Sequence, residues 1–381
     1  MLLATYYDGV EIHRAEKIIY ARFLTPHRVI STCRSSAGGI HDHLDYLYNH
    51  QSCEPGGHHL SSDLHRLAVH EPDAYRAAIA NRHDLPPECC ATMGTAANMQ
   101  AAAIAHEVFR DLEVVAVCTG GVESNAGRAG DPASYHEEGG EYVFLPSPNA
   151  GTIVIMLCIS RELAPGTMVE AVTMATEAKT AVLQEYSIPS CYSSRLATGT
   201  GTDQIGIAAR LGGNSLRGAQ KHTKLGELIG RAVQTALRQT LARQNGLTPV
   251  SQCSSLALLR RLGTDSSRLS TAICDHLSPD DAALLRRNLL VVLNDPPTVA
   301  AVAALLHLYD QFCWGVLPLS CLPDVLMPYV AQIATAVAGR SQPSAGYQQQ
   351  LAFHPVSLIP DTILDLVARA FALGFSDKWP S

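Results

Sequence analysis

Up to residue 246, short apolar runs alternate with longer segments of helical period. The runs at 18–24 (IIYARFL), 28–33 (RVISTC), 113–119 (EVVAVCT), 142–145 (YVFL), 152–159 (TIVIMLCI) and 204–211 (QIGIAARL) are rich in Val, Ile and aromatic residues. Such side chains suit a pleated, half-buried surface, so these runs are expected to be strands. Residues 168–186 and 223–244 carry the 3.6-residue repeat of a helix instead. In the second of these, Leu225, Leu228, Ile229, Ala232, Val233, Ala236 and Leu237 form one stripe, and Gly246 marks its end. The short connection between 142–145 and 152–159 predicts that those two runs pair antiparallel, which argues against a purely parallel sheet.

Beyond the turn NGLTP (245–249) the pattern becomes helical throughout. Ser278-Pro279-Asp280-Asp281 is a strong helix start, with a capping serine, proline at the first helical position and acids at the positive end of the dipole. Further helices fit 298–314, 322–338 ending at Gly339, and 361–373 ending at Gly374, while 340–350 (RSQPSAGYQQQ) reads as a loop. The expected architecture is therefore an α/β domain at 1–246, a mixed sheet layered with helices, followed by an all-helical region at 250–381. The helical region clusters few polar groups, which assigns it to packing, a lid or an interface.

Composition narrows the function classes. Charged residues are 17% and apolar ones 47% of 381 residues, as in a globular protein with ample core. A formal charge of -7 argues against nucleic acid as the main partner. Lacking a run of about eighteen uncharged apolar residues, the chain is expected to have no membrane span. The opening MLLATYYDGVEIHR lacks a basic leader, so a cytoplasmic location is expected. Eleven cysteines without a C-x-x-C spacing read as reduced structural thiols. Monomer and homo-oligomer are both open.

Candidate chemistry concentrates in two stretches, AVCTGGVESNAGRAGD (116–131) and RLATGTGTDQIGIAARLGGNSLRGAQKHTKLGELIGR (195–231). Both mass Gly, Thr and Ser around a few charged or amide groups at the ends of strand-like runs. Glycines admit a ligand close to the backbone, and hydroxyl, amide and carboxylate groups direct hydrogen bonds at it. They read as two walls of one site: Gly120, Gly121 and Asp131 from the first, Thr200, Gly201 and Thr202 from the second. Amide hydrolysis needs a nucleophile, oxyanion donors and an acid for the leaving amine. Candidates are Lys179, the one charge on the stripe Met168–Val172–Ala175–Lys179–Val182–Tyr186, against the bland reading of a snorkelling lysine. Asp203 ends the Gly/Thr loop, Asn125 is a possible oxyanion donor, and Arg128 and Asp131 are as readily a structural pair. Glu177 lies on another face of its helix, and His222 is a general acid or a plain helix-capping residue. The segment at 49–58, with His50, Cys53, Glu54 and His58, reads as a substrate-contacting loop. Its spacing matches no zinc template, and no metal site is assigned.

The blocks GGVESNAGRAGDP (120–132), AGTIVIML (150–157), ATEAKTAVLQEY (175–186), LATGTGTDQIGIAA (196–209) and HTKLGELIGRAV (222–233) resemble, in order and spacing, those of the adenosylcobinamide amidohydrolases, the CbiZ-type corrinoid salvage family. One departure is Val154, where that family usually has asparagine. The resemblance implies hydrolysis of the amide joining aminopropanol to the corrin ring of adenosylcobinamide, giving adenosylcobyric acid. It implies no cofactor beyond the cobalt-containing corrinoid substrate, towards whose cobalt His222 is also a candidate ligand. Thr152, after Gly151 at the start of a strand, has a looser likeness to the DmpA and ornithine acetyltransferase type of hydrolase. Those cleave themselves before a Ser or Thr whose new amine serves as base; the bland reading is a β-branched strand residue. The rival functions are a corrinoid-binding protein without hydrolysis and an amidase of an unrelated small substrate.

Overall fold

The computed structural model describes residues 1–52, 63–133, 135–138, 141–144, 151–339, 344–352 and 354–378. They form two compact units, one of residues 1–192 with 196–248 and one of 193–195 with 249–381.

The first unit is a four-layer α/β/β/α sandwich. One sheet has the order β1-β2-β3-β6-β7, made of Leu2–Tyr6, Val10–Ala15, Ile18–Phe23, Tyr46–Gln51 and Cys90–Thr95. The other has the order β5-β4-β15-β13-β9-β8, made of Gly39–His41, His27–Ser31, Gln204–Arg210, Ile153–Ile159, Leu112–Gly120 and Ala103–Phe109. Helices α3 (Pro165–Glu185) and α4 (Lys224–Asn245) cover the second sheet, and α1 (Asp63–His70) and α2 (Pro72–Arg82) cover the first.

Period-two alternation explains the layering. In β13, Ile153, Ile155, Leu157 and Ile159 pack toward the helices, while Val154, Met156 and Cys158 pack between the sheets. Both faces are buried, which is why this run reads as continuously apolar. Val154 is fully buried in that inter-sheet core. Burial raises the Cys158 thiol to about 12, so it behaves as a small hydrophobe.

The strands β13 and β15 run parallel, joined through α3, and β9 runs antiparallel to β13. The C-terminal end of β9 therefore lies beside the starts of β13 and β15. This puts the 121–131 loop, Thr152 and the 199–203 loop at one sheet edge. Two short ribbons complete the unit: β10 (Ala126–Gly127) with β14 (Gly199–Thr200), and β11 (Tyr135–Glu138) with β12 (Glu141–Phe144). The second ribbon corrects one expectation. The run at 142–144 pairs with 135–138, and 153–159 takes its antiparallel partner from β9, a longer strand that is buried except at Glu113.

The second unit is helical. Ser278 caps Pro279–Leu293 by accepting from the Asp281 amide at 3.2 Å. Two expectations fail here. Residues 344–351, read as loop, form a helix, while 340–343 lie outside the described residues. The last helix does not stop at Gly374 but runs Pro360–Lys378. A Cβ at Gly374 would lie 2.2 Å from the Ala334 carbonyl oxygen of helix Leu322–Ala338, so the glycine permits close helix packing rather than ending a helix. Among the described residues one single stretch, Leu319–Ala338, is long and apolar enough to cross a membrane, and 50% of its apolar window is buried inside the fold.

Candidate active site

Asp203 is the hub of the sheet edge. One carboxylate oxygen takes the Lys179 ammonium and the Thr200 amide at 3.1 Å; the other accepts from the Thr200 hydroxyl at 2.6 Å and the Ile153 amide at 3.2 Å. Lys179 is only 6% exposed, so its charge is held inside by Asp203 and does not snorkel. The pair exists because α3 returns over the β13–β15 seam with its apolar stripe down and this one amine reaching the loop. Gly199 makes room: a Cβ there would fall 2.2 Å from the carboxylate and 2.8 Å from the ammonium nitrogen.

Asn125, buried, comes from the loop after β9. Its Nδ2 donates to the Gly151 carbonyl at 2.7 Å, and its Oδ1 accepts from the Tyr192 hydroxyl at 2.6 Å. Tyr192 thereby fixes which end of the amide faces Gly151. The Thr202 hydroxyl donates to the same Gly151 carbonyl at 2.9 Å and lies 2.6 Å from the Thr152 hydroxyl. The β10–β14 ribbon pairs Ala126 with Thr200 and Gly127 with Gly199, so the two glycine-rich stretches are zipped together along the backbone.

Two cavities flank this cluster. One, about 430 Å³, reaches between the ends of the two sheets and is lined by Thr32, Arg34, Thr95, Thr152, Thr202 and Asp203 among others. The other, about 770 Å³, is lined by Asn125, Arg128, Asp131, Lys179, Thr198 and Tyr192 among others. Both share Tyr135, Gly201, Thr202 and Asp203. Hydroxyl-bearing side chains recur in both linings among surface that is mostly apolar, a combination suited to a ligand with an apolar body and peripheral hydrogen-bonding groups.

The remaining candidates are placed elsewhere or in supporting positions. Gly120 ends β9 against α4, and Gly121 donates its N–H to the Thr152 carbonyl at 3.2 Å. Asp131 accepts from the Arg128 amide at 2.8 Å and the Ser190 hydroxyl at 2.5 Å, while the Arg128 guanidinium donates to the Leu196 carbonyl at 3.1 Å. Glu177 is exposed and ion-paired with Lys221. His222 is exposed and lines neither cavity; the helix cap beside it is Thr223, which accepts from the Gly226 amide at 3.0 Å. His50 lies on β6, not in a loop. It is buried, its Nδ1 is 2.8 Å from the Tyr75 hydroxyl, and burial lowers its pKa to about 3. Cys53, Glu54 and His58 lie outside the described residues. Among the described residues no group of three His, Cys, Asp or Glu is placed to hold a metal ion.

Tyr192, Gly199 and Gln204 escaped the sequence reading. Gln204 donates to the Gly94 carbonyl at 2.9 Å and accepts from its amide at 3.3 Å, tying the two sheets at the cavity floor. A lone tyrosine or glutamine in one sequence carries no signal of this kind. Gly199, inside ATGTGTD, was legible as part of a glycine-rich loop but not as the spacer of an ion pair.

Fold and site together define a class: a four-layer α/β/β/α protein whose sheet edge presents amide and hydroxyl donors to a carbonyl group, beside a buried lysine–aspartate pair. The adenosylcobinamide amidohydrolase family, CbiZ, matches residues 3–249, and the chain belongs to that family. Over 185 residues it is 36% identical to an uncharacterized protein of Methanocaldococcus jannaschii, an alignment covering 46% of this chain and 72% of the relative.

Proposed function

We propose that the protein hydrolyses the amide between aminopropanol and the corrin ring of adenosylcobinamide, releasing adenosylcobyric acid for cobamide salvage and remodelling. Family membership supports amide hydrolysis in general. The observation that carries the reading further is the carbonyl cradle: Asn125 Nδ2 and the Thr202 hydroxyl converge on one carbonyl oxygen, 2.7 and 2.9 Å away. An amide carbonyl in that position gains the donors its oxyanion needs at the tetrahedral stage.

In this reading Thr152 supplies the nucleophilic hydroxyl. Lys179 protonates the departing aminopropanol nitrogen, and Asp203 keeps that ammonium group in place. Thr200, Gly201 and the 121–131 loop contact the substrate. Glu177 and His222 take no part, because both are exposed and line neither cavity. The reaction calls for no cofactor beyond the corrinoid itself. A cytoplasmic site of action accords with described cysteines that are all free thiols.

Incubation with adenosylcobinamide, followed by chromatography and mass spectrometry, tests the reading. Adenosylcobyric acid and free aminopropanol in equal amounts are expected. A shifted corrinoid spectrum without product would point to a binding protein. Neither product nor shift would move the search to other amides.

A further inference from the structure

We propose that the chain cleaves its own Gly151–Thr152 peptide bond, so that the mature site carries Thr152 as an N-terminal residue. The cradle that would hold a substrate carbonyl is already filled by the chain's own Gly151 carbonyl, which accepts from Asn125 at 2.7 Å and from Thr202 at 2.9 Å. The next residue bears a hydroxyl. Thr152 Oγ1 lies 2.6 Å from the same Thr202 hydroxyl that touches the carbonyl, so nucleophile and acceptor are held side by side.

The surroundings fix this peptide bond from both sides. A Cβ at Gly151 would lie 2.9 Å from Asn125 Cβ and 3.0 Å from the Gly121 carbonyl oxygen, and its φ is +156°, so glycine is what lets the carbonyl enter the cradle. Downstream, the Thr152 carbonyl accepts from the Gly121 amide at 3.2 Å and the Ile153 amide donates to Asp203 at 3.2 Å. Strand β13 is then locked between β9 and β15. The bond can react without moving the strand it opens.

The chemistry balances with water alone. Thr152 Oγ bonds to the Gly151 carbonyl carbon, and its proton passes by way of the Thr202 hydroxyl to the leaving nitrogen. The C–N bond breaks, leaving an ester on Thr152 Oγ and a free α-amine on the same residue. Water adds to the ester carbon, and Gly151 leaves as a carboxylic acid while the Thr152 hydroxyl is restored. The new amine, of a type that titrates near pH ~8, is a base adjacent to its own hydroxyl. Its use in turnover rests on the amide-hydrolase reading; the cleavage does not.

Intact mass and N-terminal sequencing of the purified full-length chain decide the matter. The expected result is two polypeptides, 1–151 and 152–381. Thr152→Ala should remain one chain, Thr152→Ser should still cleave, and Asn125→Ala should cleave about 100-fold more slowly, as for loss of one oxyanion donor. A wild-type chain that stays intact on prolonged incubation overturns the proposal, as does a cut at this bond in Thr152→Ala, which would mark an outside protease. Turnover of adenosylcobinamide by an uncut chain removes the self-cleavage and leaves the substrate reading. Cleavage without turnover does the reverse.

Discussion

The Lys179–Asp203 pair is where residue-scale physics is most exposed. Both side chains are largely shielded, at 8% and 15% exposure, so each charge depends on the other. Removing one partner of such a pair typically costs about 3–5 kcal/mol, because the survivor stays buried and unpaired. Lys179→Met should therefore lower stability by about that much and abolish turnover. Adding Asp203→Asn to it should recover part of the stability and none of the activity, as urea midpoints beside product rates would show. Gly199→Ala should separate the pair from within, since its methyl group would fall on the carboxylate. The sequence singles out Lys179 as a charge on an apolar stripe and Asp203 as an acid in a Gly/Thr loop. It does not reveal their contact, which spans a β–α–β crossover. It does separate Glu177 from Lys179: helical period puts the two on different faces, and in the structure one faces solvent and one is buried, as the side of α3 that meets the sheet requires.

At the scale of elements, periodicity was a good guide for the strands packed on both faces and for the long helices α3 and α4, and a poor one for strands that mix in polar residues. The runs at 113–119, 152–159 and 204–211 coincide closely with β9, β13 and β15 because both faces of those strands are packed. Strands such as Leu2–Tyr6 and Tyr46–Gln51 mix polar residues into the pattern, so His50 read as part of a loop although it pairs with Ile18 and Gly94 in the first sheet. Gly374 shows the converse error. In one sequence a glycine late in a helical pattern reads as a stop, but here it is the point where helices 322–338 and 360–378 come into backbone contact. Gly374→Ala would thus overpack that contact, and about 1–3 kcal/mol should be lost from the helical unit. Thermal melting followed by far-ultraviolet circular dichroism would report it; an unchanged melt would mean the helices separate freely.

Across the whole α/β unit, two buried histidines make stability depend on pH. His27 is fully buried, stacked on Phe23, and burial lowers its pKa to about 4; His50 is lowered to about 3 for the same reason. Both fit the fold in the neutral form. The unfolded chain takes up these protons from pH ~6.5 downward, whereas the folded one resists until near 4 and 3. Their contribution is thus complete above pH ~6.5 and is lost as pH falls toward those values, by about 2 kcal/mol for each histidine at pH ~5. Urea midpoints at pH 7 and pH 5 should show that drop, and His27→Gln should lessen it.

The central claim, that this sheet edge hydrolyses a corrinoid amide with Thr152 at its centre, is tested most directly by one comparison. Wild type and Thr152→Ala are incubated with adenosylcobinamide in the presence of EDTA, and adenosylcobyric acid is quantified over time. The account predicts sustained product from wild type, unaffected by the chelator, and none above background from Thr152→Ala. Equal product from both proteins would contradict it.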